Sequence, residues 1–426
     1  MHVFQDFKGF SNAEINLFNP FTLLIGPNGS GKSNVIEAIE LFSFIVQGKP
    51  LHEIADIGRG SGGIEIRGGI QGCPTYGKNF FTFEFKANIK FLGKNHFMGY
   101  YVIVGVNPHR VLSEHLQVGE HNIFSTVTSP EINSTSDDVI VEYKNFARGG
   151  KNPHVNVSAN RSIISQYQRF AIKNKKLDAC IALVNSIAFY LRSSFVFDPI
   201  PKQMRSYDRI GNAVLNRDGS NISSVLYALS IGDESQKSVL ERLLNWIKQL
   251  PDEPYESIEF VTTSLNDVIF GFKNKNGNFI DARSLSDGTL RCLAVLTAIE
   301  TTGFNSRVVV EEFDNGVHPS RIQVLTSAIK ECCERRNLNI LVTTHNPATL
   351  NTLDEKQLEG VILTVSDKSD NSSKLVRLCD LPRHDELLER GRLGDLVTQR
   401  VFERYLSPTF EDERKESVLK WIEELP

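Results

Sequence analysis

The stretch GPNGSGKS, residues 26–33, decides how the chain is interpreted. It matches the pattern GxxxxGK[ST] at every fixed position, follows the apolar run Phe21–Ile25 and opens a segment with apolar residues at helical spacing, residues 33–46. A strand, a glycine-rich loop and a helix in this order bring backbone N–H groups and a helix N-terminus around a phosphate group. The stretch therefore predicts a phosphate-binding loop for a nucleoside triphosphate.

The residue types in this loop each suit a different part of such a site. The Lys32 ammonium is expected to reach the β- and γ-phosphates, and the Ser33 hydroxyl to bind Mg²⁺. The glycines let the backbone approach the phosphates because they carry no Cβ. The nucleotide-binding residues predicted here are Gly26, Pro27, Asn28, Gly29, Ser30, Gly31, Lys32, Ser33 and Asn34.

Two adjacent acids, Glu311 and Glu312, directly follow the apolar run at residues 308–310. A strand that ends in carboxylates beside a phosphate loop can hold one of them near the metal, while the next acid orients or deprotonates the attacking water. We therefore predict that Glu311 binds Mg²⁺ together with Ser33 and that Glu312 is catalytic. The alternative, a solvated strand end, leaves the apolar run before the acids unexplained.

Two shorter motifs lie near this acidic pair. SLSDGTLR, residues 284–291, precedes a helical pattern, so Ser286 and Gly288 are predicted to form a second phosphate-binding edge. TTHNP, residues 343–347, ends a predicted strand, and its His345 is placed to hydrogen-bond a γ-phosphate. Taken alone, the first motif is only a capped helix start and the second only a structural histidine.

The pattern of the whole chain predicts an α/β fold. Strands alternating with helices in the last third indicate a mostly parallel sheet, whereas period-two alternation in residues 51–112 indicates antiparallel strands. The first 48 residues are interpreted as strand, turn, strand, loop and helix, and residues 119–136 as a loop. We predict an ATPase head made of residues 1–48 and 257–426, with a large mixed α+β insertion at residues 49–256.

Composition places the chain among globular proteins and limits its partners. With 426 residues and a net charge of -4, it has no overall attraction for nucleic acid or an anionic membrane. Its six cysteines show no CxxC spacing, which indicates reduced thiols. The start lacks the pattern of a signal peptide and the apolar runs are too short to span a bilayer, so we expect a cytoplasmic protein without membrane contact.

Together, the ordered motifs resemble those of ABC-type ATPases, and within them the SMC-like and RecF-like branch that includes the ATPase modules of OLD nucleases and related bacterial defence ATPases. FKGF at residues 7–10 also resembles that branch, and RDGSNISSVLYAL at residues 217–229 matches it weakly. The resemblance assigns these roles: residues 26–33 to the Walker A loop, Ser286 and Gly288 to the signature motif, Glu311 and Glu312 to the Walker B pair, residues 315–318 to the D-loop, and His345 to the switch histidine.

Some features depart from the family pattern. The signature motif contains LSDGT where transporters usually have LSGGQ, and the first Walker B acid is Glu311 where aspartate is commoner. These changes keep every needed functional group but leave metal geometry and turnover rate open. The glutamine of the Q-loop is not identified by sequence, with Gln71 and Gln166 as candidates.

The resemblance implies a P-loop NTPase that uses ATP and Mg²⁺ and forms a homodimer or higher oligomer through its ATP sites, because Ser286 of one head completes the site around Lys32 of another. It further implies control of a separately encoded effector in bacterial anti-phage defence, with no nuclease domain recognised in this chain. The alternatives are a DNA repair or recombination ATPase, the energy-coupling subunit of a transporter, and an ATP-binding scaffold. The insertion and LSDGT argue against a transporter, and a dispensable Glu312 would favour the scaffold.

One segment, residues 144–176, is a candidate nucleic-acid surface because it is basic and contains no acid. Such a stretch can follow a phosphate backbone, although a solvated basic face gives the same pattern. Its cationic residues are Lys144, Arg148, Lys151, Arg161, Arg169, Lys173, Lys175 and Lys176.

Overall fold

A computed structural model describes residues 1–57, 63–127, 138–146, 151–171, 175–251, 254–366, 372–381 and 384–406. Its strands are β1 (His2–Phe7), β2 (Phe10–Ile15), β3 (Phe21–Ile25), β4 (Ile54–Ala55), β5 (Ile64–Glu65), β6 (Phe80–Phe91), β7 (Lys94–Val106), β8 (His109–Val118), β9 (His121–Thr126), β10 (Asp138–Tyr143), β11 (His154–Ser158), β12 (Ser194–Phe197), β13 (Asp208–Arg209), β14 (Tyr255–Thr262), β15 (Asp267–Asn274), β16 (Phe279–Asp281), β17 (Arg307–Val310), β18 (Asn339–Thr343), β19 (Val361–Ser366) and β20 (Ser373–Arg377). Its α-helices are α1 (Lys32–Val46), α2 (Ile163–Phe170), α3 (Lys175–Arg192), α4 (Ile222–Ile231), α5 (Glu234–Lys248), α6 (Asp287–Thr301), α7 (Pro319–Arg336), α8 (Pro347–Leu350), α9 (Glu355–Leu358), α10 (His384–Glu389), α11 (Leu393–Thr398) and α12 (Val401–Tyr405).

The mostly parallel sheet predicted from the sequence is present. Its strand order is β12-β17-β18-β3-β19-β20, and neighbouring strands are parallel except for the antiparallel pair β19 and β20. Every residue of β3 and of β17 is buried, as expected for strands that are covered on both faces. The carboxyl ends of β3, β17 and β18 lie at one edge of the sheet. In the chain, these strands are followed by the phosphate loop, the acidic pair and His345, respectively.

A second, antiparallel sheet has the order β11-β10-β9-β8-β7-β6-β1-β2. Alternate residues of β6, including Phe81, Phe83 and Phe85, are buried in the core that also contains the apolar face of α1.

Two interpretations of the sequence were wrong in this sheet. The first 48 residues contain one strand more than predicted, because β1 and β2 form a hairpin, and residues 119–136 are not simply a loop, because β9 pairs with both β8 and β10.

The proposed division into a head and an insertion stays a prediction, and the sheets cross its boundaries. β1 pairs with β6, so the first residues share a sheet with strands of the predicted insertion. β12, which also lies within residues 49–256, is the edge strand of the parallel sheet beside β17. A smaller sheet of β13, β14, β15 and β16 packs with α4 and α5. In the part of the chain that the structure describes, no helix is long and apolar enough to cross a membrane.

Candidate functional site

The phosphate loop connects β3 to α1 and depends on glycine backbone conformations. Gly26 and Gly31 have φ values of 152° and 111°, which side-chain-bearing residues rarely adopt. A Cβ on Gly26 would lie 2.3 Å from Thr364 Oγ1, so β19 leaves no space for a larger residue. Ser30 Oγ and Thr364 Oγ1 are 2.5 Å apart and form a hydrogen bond that ties the loop to the same strand.

The start of α1 offers donors to an anion. Its N-cap residue is Gly31, and the helix has no side-chain cap, so the first backbone N–H groups remain available to a ligand. Lys32 Nζ donates to the carbonyl oxygens of Gly26 and Pro27, at 2.6 and 3.0 Å. Burial lowers the pKa of Lys32, while the negative charges of Glu312 and Glu311 act in the opposite direction. The ammonium thus lies between the loop and the acidic pair.

Ser33 and Glu311 are brought together across the sheet edge. Ser33 Oγ donates to Glu311 Oε1 at 2.7 Å, although 278 residues separate them in sequence. Oxygen atoms of this kind fit Mg²⁺, which usually takes one or two protein ligands and completes its octahedron with phosphate oxygens and water. The pair therefore fits a nucleotide-linked Mg²⁺.

The main chain of Glu312 is held in a strained conformation. Its φ is 45°, a left-handed value that costs a non-glycine residue on the order of 1–3 kcal/mol. Its backbone N–H donates to Thr343 Oγ1 at 2.9 Å, and its carbonyl oxygen accepts from Arg291 at 3.1 Å. The carboxylate accepts from Asn315 Nδ2 at 3.1 Å. These contacts fix a half-exposed carboxylate at the sheet edge that carries Lys32.

His345 lies beside this carboxylate, at the end of β18. Its Nδ1 is 3.6 Å from Glu312 Oε1, and its side chain is 60% exposed, so it is free to meet a ligand. The turn that carries it is fixed by Asp314, whose carboxylate accepts hydrogen bonds from Thr344 at 2.7 Å and from Thr349. Burial raises the pKa of Asp314, and the two hydroxyl donors oppose that change. The structure therefore brings His345 together with Lys32, Ser33 and the acidic pair.

The signature motif lies at a separate position. Ser286 caps α6 by accepting from the Thr289 N–H at 3.1 Å. A Cβ on Gly288 would be 3.0 Å from the carbonyl oxygen of Gly316, so α6 packs closely on the predicted D-loop. No hydrogen bond joins Ser286 or Gly288 to residues 26–34 within the described chain.

Sequence reasoning missed Asp198, which directly follows β12. Because Phe197 pairs with Val310, Asp198 lies level with Glu311 at the same sheet edge. Burial raises the pKa of Asp198, the charge of Glu311 adds to the rise, and Arg291 opposes it. The sequence carried a signal: an apolar run followed by an acid, as in the β17 motif.

The two candidate Q-loop glutamines lie elsewhere. Gln71 Nε2 donates to the carbonyl of Val106 at 2.7 Å, and Gln166 Nε2 to that of Ser158 at 2.9 Å. Both therefore contact the antiparallel sheet, at the ends of β7 and β11, and not the edge that carries Glu311. Neither assignment is supported by these positions.

The basic segment is only partly described. Arg148 and Lys173 lie outside the described residues, as do the side chains of Lys175 and Lys176. Lys151 and Arg169 are exposed. Nucleic-acid binding by this segment stays a prediction.

Comparisons with known proteins agree with these motifs. Residues 21–351 match a protein-family model described as "AAA domain, putative AbiEii toxin, Type IV TA system". An "ATP/GTP phosphatase" of Helicobacter pylori is 20% identical over 82% of this chain and 86% of its own length. "DNA replication and repair protein RecF" of Rickettsia canadensis is 45% identical over 40 residues, which cover 9% of this chain and only 11% of that relative.

Among solved structures, an SMC head domain bound to the C-terminal winged-helix domain of ScpA matches 88% of this chain and 96% of its own, with 13% identity and a TM-score of 0.48. The SMC head domain from Thermotoga maritima matches 88% and 97%, with 15% identity and a TM-score of 0.41. The family model extends over most of the chain, from β3 to the end of the α8 region, and so includes the phosphate loop, the acidic pair and His345. The chain therefore belongs to the family of that description. The short RecF match agrees with the predicted RecF-like motifs.

Proposed function

We propose that this protein binds and hydrolyses ATP with Mg²⁺, dimerises on ATP, and thereby controls a partner effector in bacterial anti-phage defence. The observation that carries the catalytic part is the meeting of Lys32, Ser33, Glu311 and Glu312 at one sheet edge, with Ser33 Oγ 2.7 Å from Glu311 Oε1. The "phosphatase" name of the Helicobacter pylori relative supports hydrolysis, and the toxin description of the family supports a defence role.

In the proposed reaction, the backbone N–H groups at the start of α1 bind the β-phosphate, and Lys32 leaves the carbonyls of residues 26 and 27 to reach the β- and γ-phosphates. Ser33 and Glu311 would hold Mg²⁺, which when bound would neutralise charge developing on the phosphate oxygens. Glu312 accepts a proton from the attacking water or orients it, and His345 donates a hydrogen bond to the γ-phosphate. Asp198 adds a third acid near Glu311 and is proposed to orient water in the same place.

The dimeric part rests on the resemblance to ABC-type ATPases, in which the signature motif of one head completes the ATP site of another. Ser286 caps the start of α6, and no hydrogen bond in the described chain links it to the phosphate loop, yet the start of a helix suits a phosphate group. A second copy would bring Ser286 and Gly288 to the γ-phosphate held by Lys32 of the first. ATP then joins the two heads, and hydrolysis releases them. A separately encoded effector would respond to this cycle.

The test is Glu312→Gln, assayed for ATP hydrolysis, ATP affinity and mass in solution. The amide fits the same space and keeps an acceptor for Asn315, but it cannot take a proton. We expect hydrolysis to fall by at least about a hundredfold while ATP affinity is kept and the dimer persists. Hydrolysis at the wild-type rate would remove Glu312 from the mechanism. Omission of Mg²⁺ is expected to stop hydrolysis in the unmodified protein.

A second candidate function, a DNA repair or recombination ATPase, is favoured by the short RecF match. The two functions differ in what stimulates the ATPase. Duplex or single-stranded DNA should raise the hydrolysis rate of a repair ATPase, whereas an effector-controlling ATPase should respond to the protein encoded beside it. The rate is measured with each addition separately, and the larger response decides between them.

A further inference from the structure

Arg205 contacts the signature loop from a distant part of the sequence. One of its terminal nitrogens, Nη2, donates to the carbonyl oxygen of Leu285 at 2.6 Å and to Asp287 Oδ1 at 2.7 Å. These two acceptors lie on either side of Ser286. Arg205 itself is at the end of a short turn that is anchored by the buried side chain of Met204. The arginine therefore fixes the loop at two points around the proposed phosphate contact.

Asp287 poses an electrostatic difficulty for that contact. Its carboxylate is 69% exposed and lies in the first turn of α6, next to Ser286. An acid in this place stabilises the isolated helix, but it opposes the approach of a triphosphate, since two negative charges then face each other as water is excluded. A neighbouring cation is needed to offset it, and Arg205 is paired with it directly.

We propose that Arg205 is a positioning residue of the half-site that one copy of this chain offers to ATP on a second copy. It neutralises Asp287 and, through the Leu285 carbonyl, holds the loop so that Ser286 and the α6 N–H groups face the incoming γ-phosphate. This inference rests on the proposed ATP-dependent dimer. It adds to that proposal a residue outside every motif recognised in the sequence.

A second arginine nearby provides a matched control. Arg283 lies over the ring of Tyr207 at 6.0 Å and forms an ion pair with Asp281 at 2.6 Å. Its guanidinium is thus bound to a different acid, although it is only three residues before Ser286. Removal of Arg283 changes the local charge by the same amount as removal of Arg205, but it leaves the pair of Arg205 and Asp287 intact.

The experiment measures ATP-dependent dimerisation by sedimentation velocity in the Glu312→Gln protein, in which bound ATP is not consumed. We expect Arg205→Ala to raise the dimer dissociation constant by at least about tenfold, because Asp287 is left unpaired against the phosphates. Arg205→Ala combined with Asp287→Asn is expected to regain most of the affinity, and Arg283→Ala to dimerise like its parent. Binding of a fluorescent ATP analogue to the monomer should be equal in all variants, and thermal unfolding confirms that each is folded.

The outcomes separate the two proposals. If the Glu312→Gln protein stays monomeric with ATP, the proposed dimer and this inference are both overturned. If it dimerises and Arg205→Ala dimerises equally well, only the role of Arg205 is overturned. The same holds if Asp287→Asn gives no recovery, because Arg205 then acts only as a support of the fold. A recovery that is specific to the double variant supports charge compensation.

Discussion

The two phosphate-binding edges of this head differ in how complete they are. At the phosphate loop, Lys32, Ser33 and Glu311 are linked through hydrogen bonds and charge within one chain. At the signature loop, Ser286 contacts its own helix, and its neighbour Asp287 contacts Arg205. We therefore propose that the first edge binds a nucleotide by itself, whereas the second has an exposed helix start and an acid that opposes phosphate. On this proposal, binding belongs to the monomer and turnover depends on an assembly.

The largest expected effect comes from the complete edge. Lys32→Ala removes the cation closest to the β- and γ-phosphates, so we expect ATP affinity to fall by at least about a hundredfold and hydrolysis to be lost. Affinity is measured by titration calorimetry and turnover by phosphate release. The control is Lys94→Ala, an exposed lysine at the start of β7, which should leave both quantities unchanged. Normal affinity and turnover in Lys32→Ala would contradict the assignment of this loop.

The incomplete edge is tested by Ser286→Arg. A bulky side chain at the helix start should block the second copy, so hydrolysis is expected to fall at least about tenfold while ATP affinity of the monomer changes by less than about twofold. Loss of the cap costs the helix on the order of 1 kcal/mol, which thermal unfolding measures separately. Ser235→Arg, on the exposed first turn of α5, serves as the control. If Ser286→Arg abolishes binding as well, the two edges are not independent.

The sequence predicted the complete edge much better than the incomplete one. GxxxxGK[ST] is informative because each of its residues performs a local task, and the fully buried β3 and β17 have the apolar character of parallel strands. By contrast, Arg205 acts on residues that are 80 and 82 positions away. No local pattern marks such a contact, because it exists only after the sheets and helices have packed.

Asp198 lies between these cases. The short apolar run before it, Phe195–Phe197, forms part of β12 and places an acid beside Glu311. β9 was missed because its residues, HNIFST, are mostly polar and take their strand conformation from pairing with β8 and β10. The positions of Asp198 and β9 depend on strand register and on neighbouring strands. The pattern of a single sequence contains neither.

A third prediction concerns the antiparallel sheet, which should influence stability without influencing the nucleotide. Glu114 is fully buried and accepts from the backbone N–H groups of Ile163 and Ile164, at 2.6 and 2.7 Å, and from Tyr100 at 3.0 Å. Burial raises its pKa to about 7, against the effect of these three donors. The folded state therefore holds a proton that the unfolded state releases above its ordinary pKa near 4.5.

It follows that the stability contributed by this proton is fully present below about pH 4.5 and is lost as pH rises to about 7. The expected loss is on the order of 3 kcal/mol in the free energy of unfolding. Glu114→Gln should lack this decrease, so its stability relative to the parent should rise between pH 5 and pH 8 in urea denaturation. Glu120→Gln, at an exposed turn, is the control. Equal pH dependence in Glu114→Gln and the parent would contradict the assignment, and ATP affinity should be the same in both.

The smallest effect is expected from the basic segment, and it tests whether recognition lies outside both edges. If residues 144–176 follow a nucleic-acid backbone, charge reversal of Lys173, Lys175 and Lys176 to glutamate should weaken DNA or RNA binding roughly tenfold. The slope of log affinity against log salt should also become shallower by about 0.9 for each lost duplex contact, because fewer counterions are released. The control variant reverses the charge of three exposed lysines elsewhere, Lys90, Lys94 and Lys275, so that its net charge changes by the same amount. Affinities are titrated at two salt concentrations, with ATP affinity as the reference that should not change.

If both triple variants lose nucleic-acid affinity equally, the effect is one of net charge alone. If neither does, the segment does not bind nucleic acid. In that second case, loss of effector binding in the first variant only would identify the segment as a protein contact.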